Sequence, residues 1–185
     1  MRNILCLIGM AALLSGCATP PKDAPAFSTA SLPDDPAFAT LVVYRQMVPP
    51  LAYKSTVSVN GVEAVEMPND GFAAIPVKPG HVSVKNDWSF AAGNPAGAVD
   101  LDVQAGHRYY FEVTYVGAGN VVALAATMAT FHTAVQGRGF SFVEEAEAVP
   151  ILTRCCRSVQ LEDDYVPPDP IPATDAPATD VSGPL

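Results

Sequence analysis

Residues 55–67 read STVSVNGVEAVEM, and this stretch decides the fold class. Two short runs of β-forming residues flank Asn60 and Gly61, the dipeptide that the tight type I′ turn of a β-hairpin prefers. The valines on either side of Ser58 alternate with it and therefore share one face of their strand. The pattern predicts a β-hairpin with one buried face.

The stretches around this hairpin repeat the strand pattern, and Gly and Pro separate them at short intervals. Such spacing is typical of small all-β domains. Further strands are predicted within residues 40–46, 71–87 (two strands around a Pro-Gly turn), 97–103, 105–116 and 139–143. We predict a mainly β fold, a small antiparallel β-sandwich, with a barrel as the alternative.

One or two short helices are predicted towards the C-terminal side of the sandwich. Apolar residues at helical spacing begin at Val121 and continue with Leu124, Met128, Phe131 and Val135. This spacing predicts a helix packed on the sheet, and a long buried strand is the alternative. Residues 144–156 predict a second short helix, which begins with acidic residues and is disturbed by Pro150.

The first sixteen residues have the layout of a signal peptide. Arg2 supplies a positive charge, and residues 4–14 form an apolar run that is too short to span a bilayer. A buried N-terminal helix is the alternative, but the abrupt change to a proline-rich segment fits export better. We therefore predict that residues 1–16 are a lipoprotein signal peptide.

The apolar run ends in Leu14-Ser15-Gly16-Cys17, which resembles the lipobox of bacterial lipoproteins. The resemblance implies that the signal peptide is cut before Cys17, that the thiol carries a diacylglycerol, and that the new amine is acylated. Two or three acyl chains would hold the protein at the membrane essentially permanently. Ala18 rather than Asp follows the cysteine, and by resemblance to proteobacterial lipoproteins this favours the outer membrane, facing the periplasm.

Proline-rich polar segments flank the strand region. Residues 17–38 contain five prolines and predict an extended, lipid-anchored tether. Residues 161–185 contain six acidic residues and no Lys or Arg, and predict an acidic disordered tail. A Pro-rich docking ligand is the alternative for this tail. Residues 39–160 remain as the β-sandwich domain.

The strand region carries a set of turn and strand motifs: Tyr44-Arg45, Val59-Asn60-Gly61, Pro79-Gly80-His81, and Gly106 followed by Tyr109-Tyr110. In these motifs, which span about residues 39–116, the chain resembles a group of bacterial lipoproteins that share the domain of unknown function 2846. The resemblance implies an envelope β-sandwich of the Ig-like or PEGA-like kind. It implies no activity.

The chain offers little for catalysis, metal binding or a cofactor. Its histidines, His81, His107 and His132, form no cluster with cysteines at ligand spacing, so we expect no metal site. Asp100 and Asp102 share one face of a predicted strand, and that face should meet solvent. We expect a solvated pair there, no catalytic residue, no cofactor and no enzyme.

Aromatic and thiol side chains leave two further alternatives open. Tyr109, Tyr110 and Tyr115 could line an aromatic groove, but we favour packing in the core and at the sheet edge. The adjacent Cys155 and Cys156 would close a strained ring, so we expect no disulfide between them. We expect one of them to be buried and the other exposed, and a redox or intermolecular role is the alternative.

The charge balance narrows the classes of partner. The chain has 19 Asp and Glu against 10 Lys and Arg, a net charge of −9, which argues against nucleic acid and against a basic patch for anionic lipid. We predict a lipid-anchored envelope lipoprotein that binds the membrane through Cys17. Its non-catalytic sandwich is expected to be an interaction module for another envelope protein or a structural module that stiffens an envelope assembly. A carrier or sensor for a small ligand is the alternative.

Overall fold

The computed structural model describes residues 19–47, 51–88, 97–113 and 140–172. In these residues two β-sheets pack face to face, and an α-helix lies on the outer face of the larger sheet. The mainly β sandwich predicted from the sequence is confirmed. The strands are β1 (Ala39–Arg45), β2 (Ser55–Val59), β3 (Val62–Met67), β4 (Gly71–Val77), β5 (Gly80–Asp87), β6 (Gly97–Val103), β7 (Arg108–Val113), β8 (Phe140–Val143) and β9 (Arg157–Ser158); the helix is α1 (Glu145–Cys155), and a short 3₁₀ turn lies at Thr29–Ser31.

The predicted hairpin joins β2 and β3. Val59 pairs directly with Val62, which leaves a two-residue loop. Asn60 has φ 49° and Gly61 has φ 82°, as a type I′ turn requires. The turn is therefore confirmed, and the Asn60 side-chain oxygen also accepts a hydrogen bond from the Ser83 N–H at 2.8 Å, which ties the turn to β5.

Replacement of Gly61 by valine should destabilise the protein through the backbone alone. A Cβ at this position would contact no atom within 4 Å. The destabilisation would therefore come from the positive φ, which valine rarely adopts, and not from a steric clash. We expect a loss of roughly 1–3 kcal/mol in the free energy of unfolding, measured by urea unfolding with Trp88 fluorescence. Gly61→Asn is the matched control, because asparagine tolerates positive φ; equal stability of the two variants would contradict the assignment.

The strand orders are β8-β7-β1-β4-β9 in the larger sheet and β3-β2-β5-β6 in the smaller one. Neighbours in the smaller sheet are antiparallel, whereas β1 with β7 and β4 with β9 are parallel pairs. Parallel neighbours need a long connection. Between β1 and β7 the chain crosses to the smaller sheet and back twice, first through β2 and β3 and then through β5 and β6. The larger sheet is therefore mixed rather than purely antiparallel.

The central strand β1 is buried along its whole length. Leu41 and Val43 lie in the core between the sheets, while Val42 and Tyr44 lie in a second cluster on the outer face of the larger sheet. A strand that is covered on both faces has an unbroken apolar sequence. This explains why TLVVY lacks the alternation of the hairpin.

Helix α1 supplies much of that outer cover. Glu145 and Glu147 lie in its first turn, where negative charge suits the positive end of the helix dipole. Ala148 and Leu152 are fully buried in the outer cluster. Pro150 lies inside the helix, which continues past it.

The short helix predicted over residues 144–156 is thus confirmed. The helix predicted from Val121, with its alternative of a long buried strand, lies outside the described residues.

Both proline-rich ends contribute to the folded unit, in contrast to the free tether and tail predicted around residues 39–160. Phe27 and Leu32 are buried in the outer cluster. Towards the other end, the Tyr165 hydroxyl donates a hydrogen bond to the Pro76 carbonyl at 3.0 Å, and burial raises the pKa of that tyrosine. Proline-rich composition excludes a separate core, but single apolar side chains in such segments still cover surface that the strands leave open.

The described part of the tail continues along the hairpin end of the sandwich. Lys78 Nζ lies 2.6 Å from Asp169 Oδ1, and the Ile171 N–H donates to the His81 carbonyl at 3.0 Å. A Cβ on Gly80 would come within 2.8 Å of Pro170. The tail therefore packs on the domain at least as far as Ile171.

Candidate functional site

A short N-terminal segment, residues 24–27, runs alongside β9 and extends the edge of the larger sheet. The Phe27 N–H donates to the Cys156 carbonyl at 3.1 Å. The Arg157 guanidinium donates to the Ala24 carbonyl at 2.7 Å. The chain therefore enters the folded unit at a defined edge, a few residues after the predicted lipidation site.

An open groove of about 750 Å³ lies beside this segment. We call it the proline groove; it is lined by Pro20, Pro21, Asp23, Ala24, Pro25, Lys54, Glu66 and residues 158–163. On one wall Lys54 Nζ lies 2.8 Å from Glu66 Oε2. Exposed ion pairs of this kind contribute little to stability, so both groups can exchange to a bound partner.

The floor of the proline groove is the chain that leaves β9. The Val159 N–H donates to the Phe72 carbonyl at 2.8 Å, and the Glu162 N–H donates to the Ala64 carbonyl at 2.9 Å. This segment thus links the edges of both sheets, and the side chains of Val159 and Leu161 pack against the main core. The groove has a firmly supported base.

The lining of the proline groove is acidic. Among the described residues that line it, four are acidic (Asp23, Glu66, Glu162 and Asp163) and one, Lys54, is basic. A concave surface with an excess of one charge attracts ligands of the opposite charge. The groove therefore suits a cationic segment better than an anionic or purely apolar one.

Sequence reasoning did not identify this groove. Its walls come from four stretches that are far apart in the chain, and none of them carries a motif. Its formation depends on the N-terminal segment lying against β9, a contact with no local sequence signal.

The end of the sandwich near the β1–β2 connection contains a buried cation. Arg45 is fully buried, and its Nη1 donates to the Tyr53 carbonyl at 2.7 Å. Its guanidinium lies 4.6 Å from the centroid of the Trp88 ring. Burial lowers the pKa of Arg45 to about 10, an effect that the Asp70 carboxylate opposes, so the group stays charged at neutral pH. Arg45 ties this loop to both sheets.

Two buried polar side chains on neighbouring strands at the same end have no hydrogen-bond partner among the described residues. They are the Asn86 amide, through both its oxygen and its nitrogen, and the Ser55 hydroxyl. An unsatisfied buried polar group costs about 1–3 kcal/mol. Positions of this kind are where an ordered water or a small polar ligand binds in proteins.

The polar residues singled out in the sequence lie on the surface and are not assembled into one site. Asp100 and Asp102 are exposed on β6, as predicted. His81 Nδ1 lies 3.0 Å from Asp102 Oδ1, while His107 Nδ1 lies 3.1 Å from a neighbouring carbonyl. His132 lies outside the described residues. Within residues 19–47, 51–88, 97–113 and 140–172, no group of His, Cys, Asp and Glu side chains could hold a metal ion.

The two adjacent tyrosines of β7 pack on opposite faces of the larger sheet, Tyr109 against the main core and Tyr110 in the outer cluster. The Tyr110 hydroxyl donates to Glu145 Oε1 at 3.2 Å, and burial, with a further contribution from Glu145, raises the pKa of Tyr110 to about 12. The Tyr109 hydroxyl, on the opposite face, accepts from the Gln104 N–H at 3.0 Å. Tyr115 lies outside the described residues.

Cys155 and Cys156 form a disulfide with each other, and the expectation that they stay unpaired is wrong. Helix α1 ends at Cys155, while Cys156 has an extended backbone with φ −114° and ψ 143°. This change of conformation between the two residues brings the sulfur atoms together, and the ring-strain argument did not allow for it. Cys156 is buried in the outer cluster.

Cys17, the predicted lipidation site, lies outside the described residues, two positions before they begin. No helix in the part of the chain that the structure describes is both long and apolar enough to cross a membrane.

Comparison with the sequence patterns of known protein families finds none that matches this chain, and a search of curated proteins also finds no match. The resemblance to lipoproteins with the domain of unknown function 2846 therefore stays a prediction.

Proposed function

We propose that this chain is a lipid-anchored lipoprotein of the bacterial envelope, whose non-catalytic β-sandwich is a protein-interaction module facing the periplasm. The observation that carries the proposal is the sequence Leu14-Ser15-Gly16-Cys17, placed directly after the short apolar run of residues 4–14. Acylation of Cys17 would supply two or three chains, which is enough for stable anchoring. Fatty-acid labelling of the intact chain tests the anchor.

The arrangement of the folded unit is consistent with a module held close to its membrane. Ala24 already accepts a hydrogen bond from Arg157, and seven residues separate it from Cys17. At no more than about 3.6 Å per residue this distance is at most about 25 Å. The anchor would therefore keep the domain near the headgroups, with the proline groove on the anchored side.

We place the partner contact in the proline groove and propose that its occupant is a basic, extended segment of another envelope protein. The support is charge complementarity, since four acidic residues and one lysine are among the described residues that line the groove. The floor is supported by backbone hydrogen bonds to both sheets, so the groove would bind without a large ordering cost.

Site-specific photo-crosslinking in living cells tests this function. A photoreactive phenylalanine analogue at Gln160, which lines the groove, should capture a partner whose crosslinked peptide is rich in Lys and Arg. The same analogue at Gln104, an exposed glutamine in the β6–β7 connection, is the matched control and should not capture that partner.

Charge variants show whether the captured partner depends on the groove. Asp23→Asn with Asp163→Asn should abolish most of the crosslink at Gln160, and raised salt should weaken it, because exposed charges are screened. Asp34→Asn with Asp100→Asn removes the same charge from exposed positions elsewhere and should leave the yield unchanged. Equal capture by both double variants would contradict the proposed contact.

The alternative function, a carrier or sensor for a small ligand, is favoured by one observation. The Asn86 amide and the Ser55 hydroxyl are buried and have no partner in the part of the chain that the structure describes, and they could bind a small polar molecule. The interior around them is otherwise filled by apolar side chains of both sheets, so we prefer the interaction module.

A further inference from the structure

Three large apolar side chains are exposed within seven residues in the connection between β1 and β2. Met47 is 57% exposed, Leu51 54% and Tyr53 47%. Single exposed apolar residues are normal, but a group of them marks a contact surface. We call Met47, Leu51 and Tyr53 the loop patch.

The backbone behind the loop patch is held by buried side chains. The Asn69 side-chain nitrogen donates to the Leu51 carbonyl at 2.7 Å, and Arg45 Nη1 donates to the Tyr53 carbonyl at 2.7 Å. Both donors belong to residues that are almost fully buried. The fold therefore fixes the backbone at Leu51 and Tyr53 while leaving their side chains in contact with solvent, which lowers the ordering cost of a contact.

The loop patch is next in the chain to a wall of the proline groove, which the N-terminal segment also lines. Lys54, the residue after Tyr53, lines the proline groove together with Pro20. Pro20 lies three positions after Cys17 in the sequence, so the two residues are at most about 11 Å apart. Lipid on Cys17 would therefore bring the bilayer surface to the groove wall beside the patch.

The chemistry of the loop patch fits the interface of a bilayer. Residues 46–53 carry no charged side chain, so their transfer towards the acyl region meets no charge penalty. The tyrosine has an apolar ring with a polar tip, which is favoured at headgroup level. The first charge beyond this stretch is the cation of Lys54, which can face lipid phosphates.

We infer that Met47, Leu51 and Tyr53 enter the interface of the bilayer in which Cys17 is anchored, and that this second contact orients the sandwich on the membrane. The inference rests on the lipid anchor proposed above, because only the anchor brings this side of the domain to the bilayer. The occupant of the loop patch is thus the membrane rather than a protein.

Fluorescence quenching by lipid-borne nitroxides tests the contact on the full lipidated protein. Met47→Trp and Leu51→Trp place reporters in the patch. Val166→Trp is the control, because Val166 is 69% exposed and follows Tyr165, which contacts the far end of β4. The wild-type chain supplies the background of the buried Trp88. The proteins are reconstituted into phosphatidylcholine vesicles with and without nitroxide-labelled phosphatidylcholine.

We expect both patch reporters to lose most of their fluorescence in nitroxide vesicles and to shift their emission to shorter wavelength. The control reporter should show neither change. If the protein floats with the vesicles but all three reporters are quenched equally weakly, the patch inference is overturned while the anchor stands. If the protein does not float at all, the anchor itself is wrong. A third outcome is a blue shift that grows with the density of protein on the vesicles, without quenching by nitroxide. It would assign the patch to a contact with a second copy of the chain and overturn the inference.

Discussion

The Cys17→Ala variant should take up no label from an alkyne-bearing fatty acid, whereas the wild-type chain should be labelled strongly. The thiol of Cys17 is the proposed attachment point of the diacylglycerol, and alanine offers no nucleophile in its place. Without the lipid, processing before residue 17 should also fail, so we expect an uncleaved precursor or a soluble species. In-gel detection of the alkyne after metabolic labelling measures the effect in one step.

Cys6→Ala is the matched control for this experiment. Cys6 lies within the apolar run, so its removal tests whether loss of any cysteine near the N-terminus affects labelling. We expect Cys6→Ala to label like the wild type. A Cys17→Ala protein that still takes up label, or a wild-type protein that takes up none, would contradict the lipid anchor.

The β-sandwich should fold equally well in the Cys17→Ala variant. The hydrogen bonds that hold the N-terminal segment to β9 begin with the one from the Arg157 guanidinium to the Ala24 carbonyl, and no described contact of the core depends on the anchor. If Cys17→Ala keeps the wild-type unfolding midpoint, its loss of label results from missing acylation and not from misfolding.

The parts of the fold that were predicted correctly are those with a local signal. The hairpin followed from Asn60-Gly61, because few residues other than glycine and asparagine accept the backbone angles of a type I′ turn. The start of α1 followed from acidic residues at the positive end of a helix dipole. In both cases the residues that predict the element also stabilise it, without help from distant parts of the chain.

The parts that were missed depend on contacts between distant segments. The two-residue strand β9 is defined by its pairing with Gly71 and Phe72 of β4 on one side and with Ala26 on the other, and two residues carry no periodicity. The parallel pairing of β1 with β7 depends on where the chain returns after five intervening strands. The proline groove requires both the N-terminal segment and the chain after β9, so its lining had no signature in the sequence.

The Cys155–Cys156 disulfide shows a different limit. Ring strain between adjacent cysteines is a general argument, and it assumes that both residues share an ordinary backbone conformation. Here the helix ends between them. That boundary could be predicted only to within a few residues, so the pairing could not be derived from the sequence.

Phe27→Ala should destabilise the whole domain, although composition placed Phe27 in a free tether. The ring is only 6% exposed and packs edge-on against Phe72, with 5.1 Å between ring centroids. Truncation of a buried phenylalanine to alanine costs about 3–5 kcal/mol. Since Phe27 lies near a chain end that can detach, we expect the lower limit, about 3 kcal/mol, and a fall of roughly 10 °C in Tm.

Phe142→Ala is the control for the predicted destabilisation by Phe27→Ala, because it removes an aromatic ring that is only partly buried. Phe142 is 41% exposed on β8 and contacts Phe111 edge-on at 5.7 Å, so its truncation removes less buried area and should cost about 1 kcal/mol. Urea unfolding of the full mature chain, followed by the fluorescence of the buried Trp88, gives both values.

If residues 17–38 were a free tether, Phe27→Ala would be as stable as the wild type and Phe142→Ala would be the less stable variant. A larger loss for Phe27→Ala instead requires the N-terminal segment to be part of the folded domain, since a side chain outside it would have no buried contact to lose.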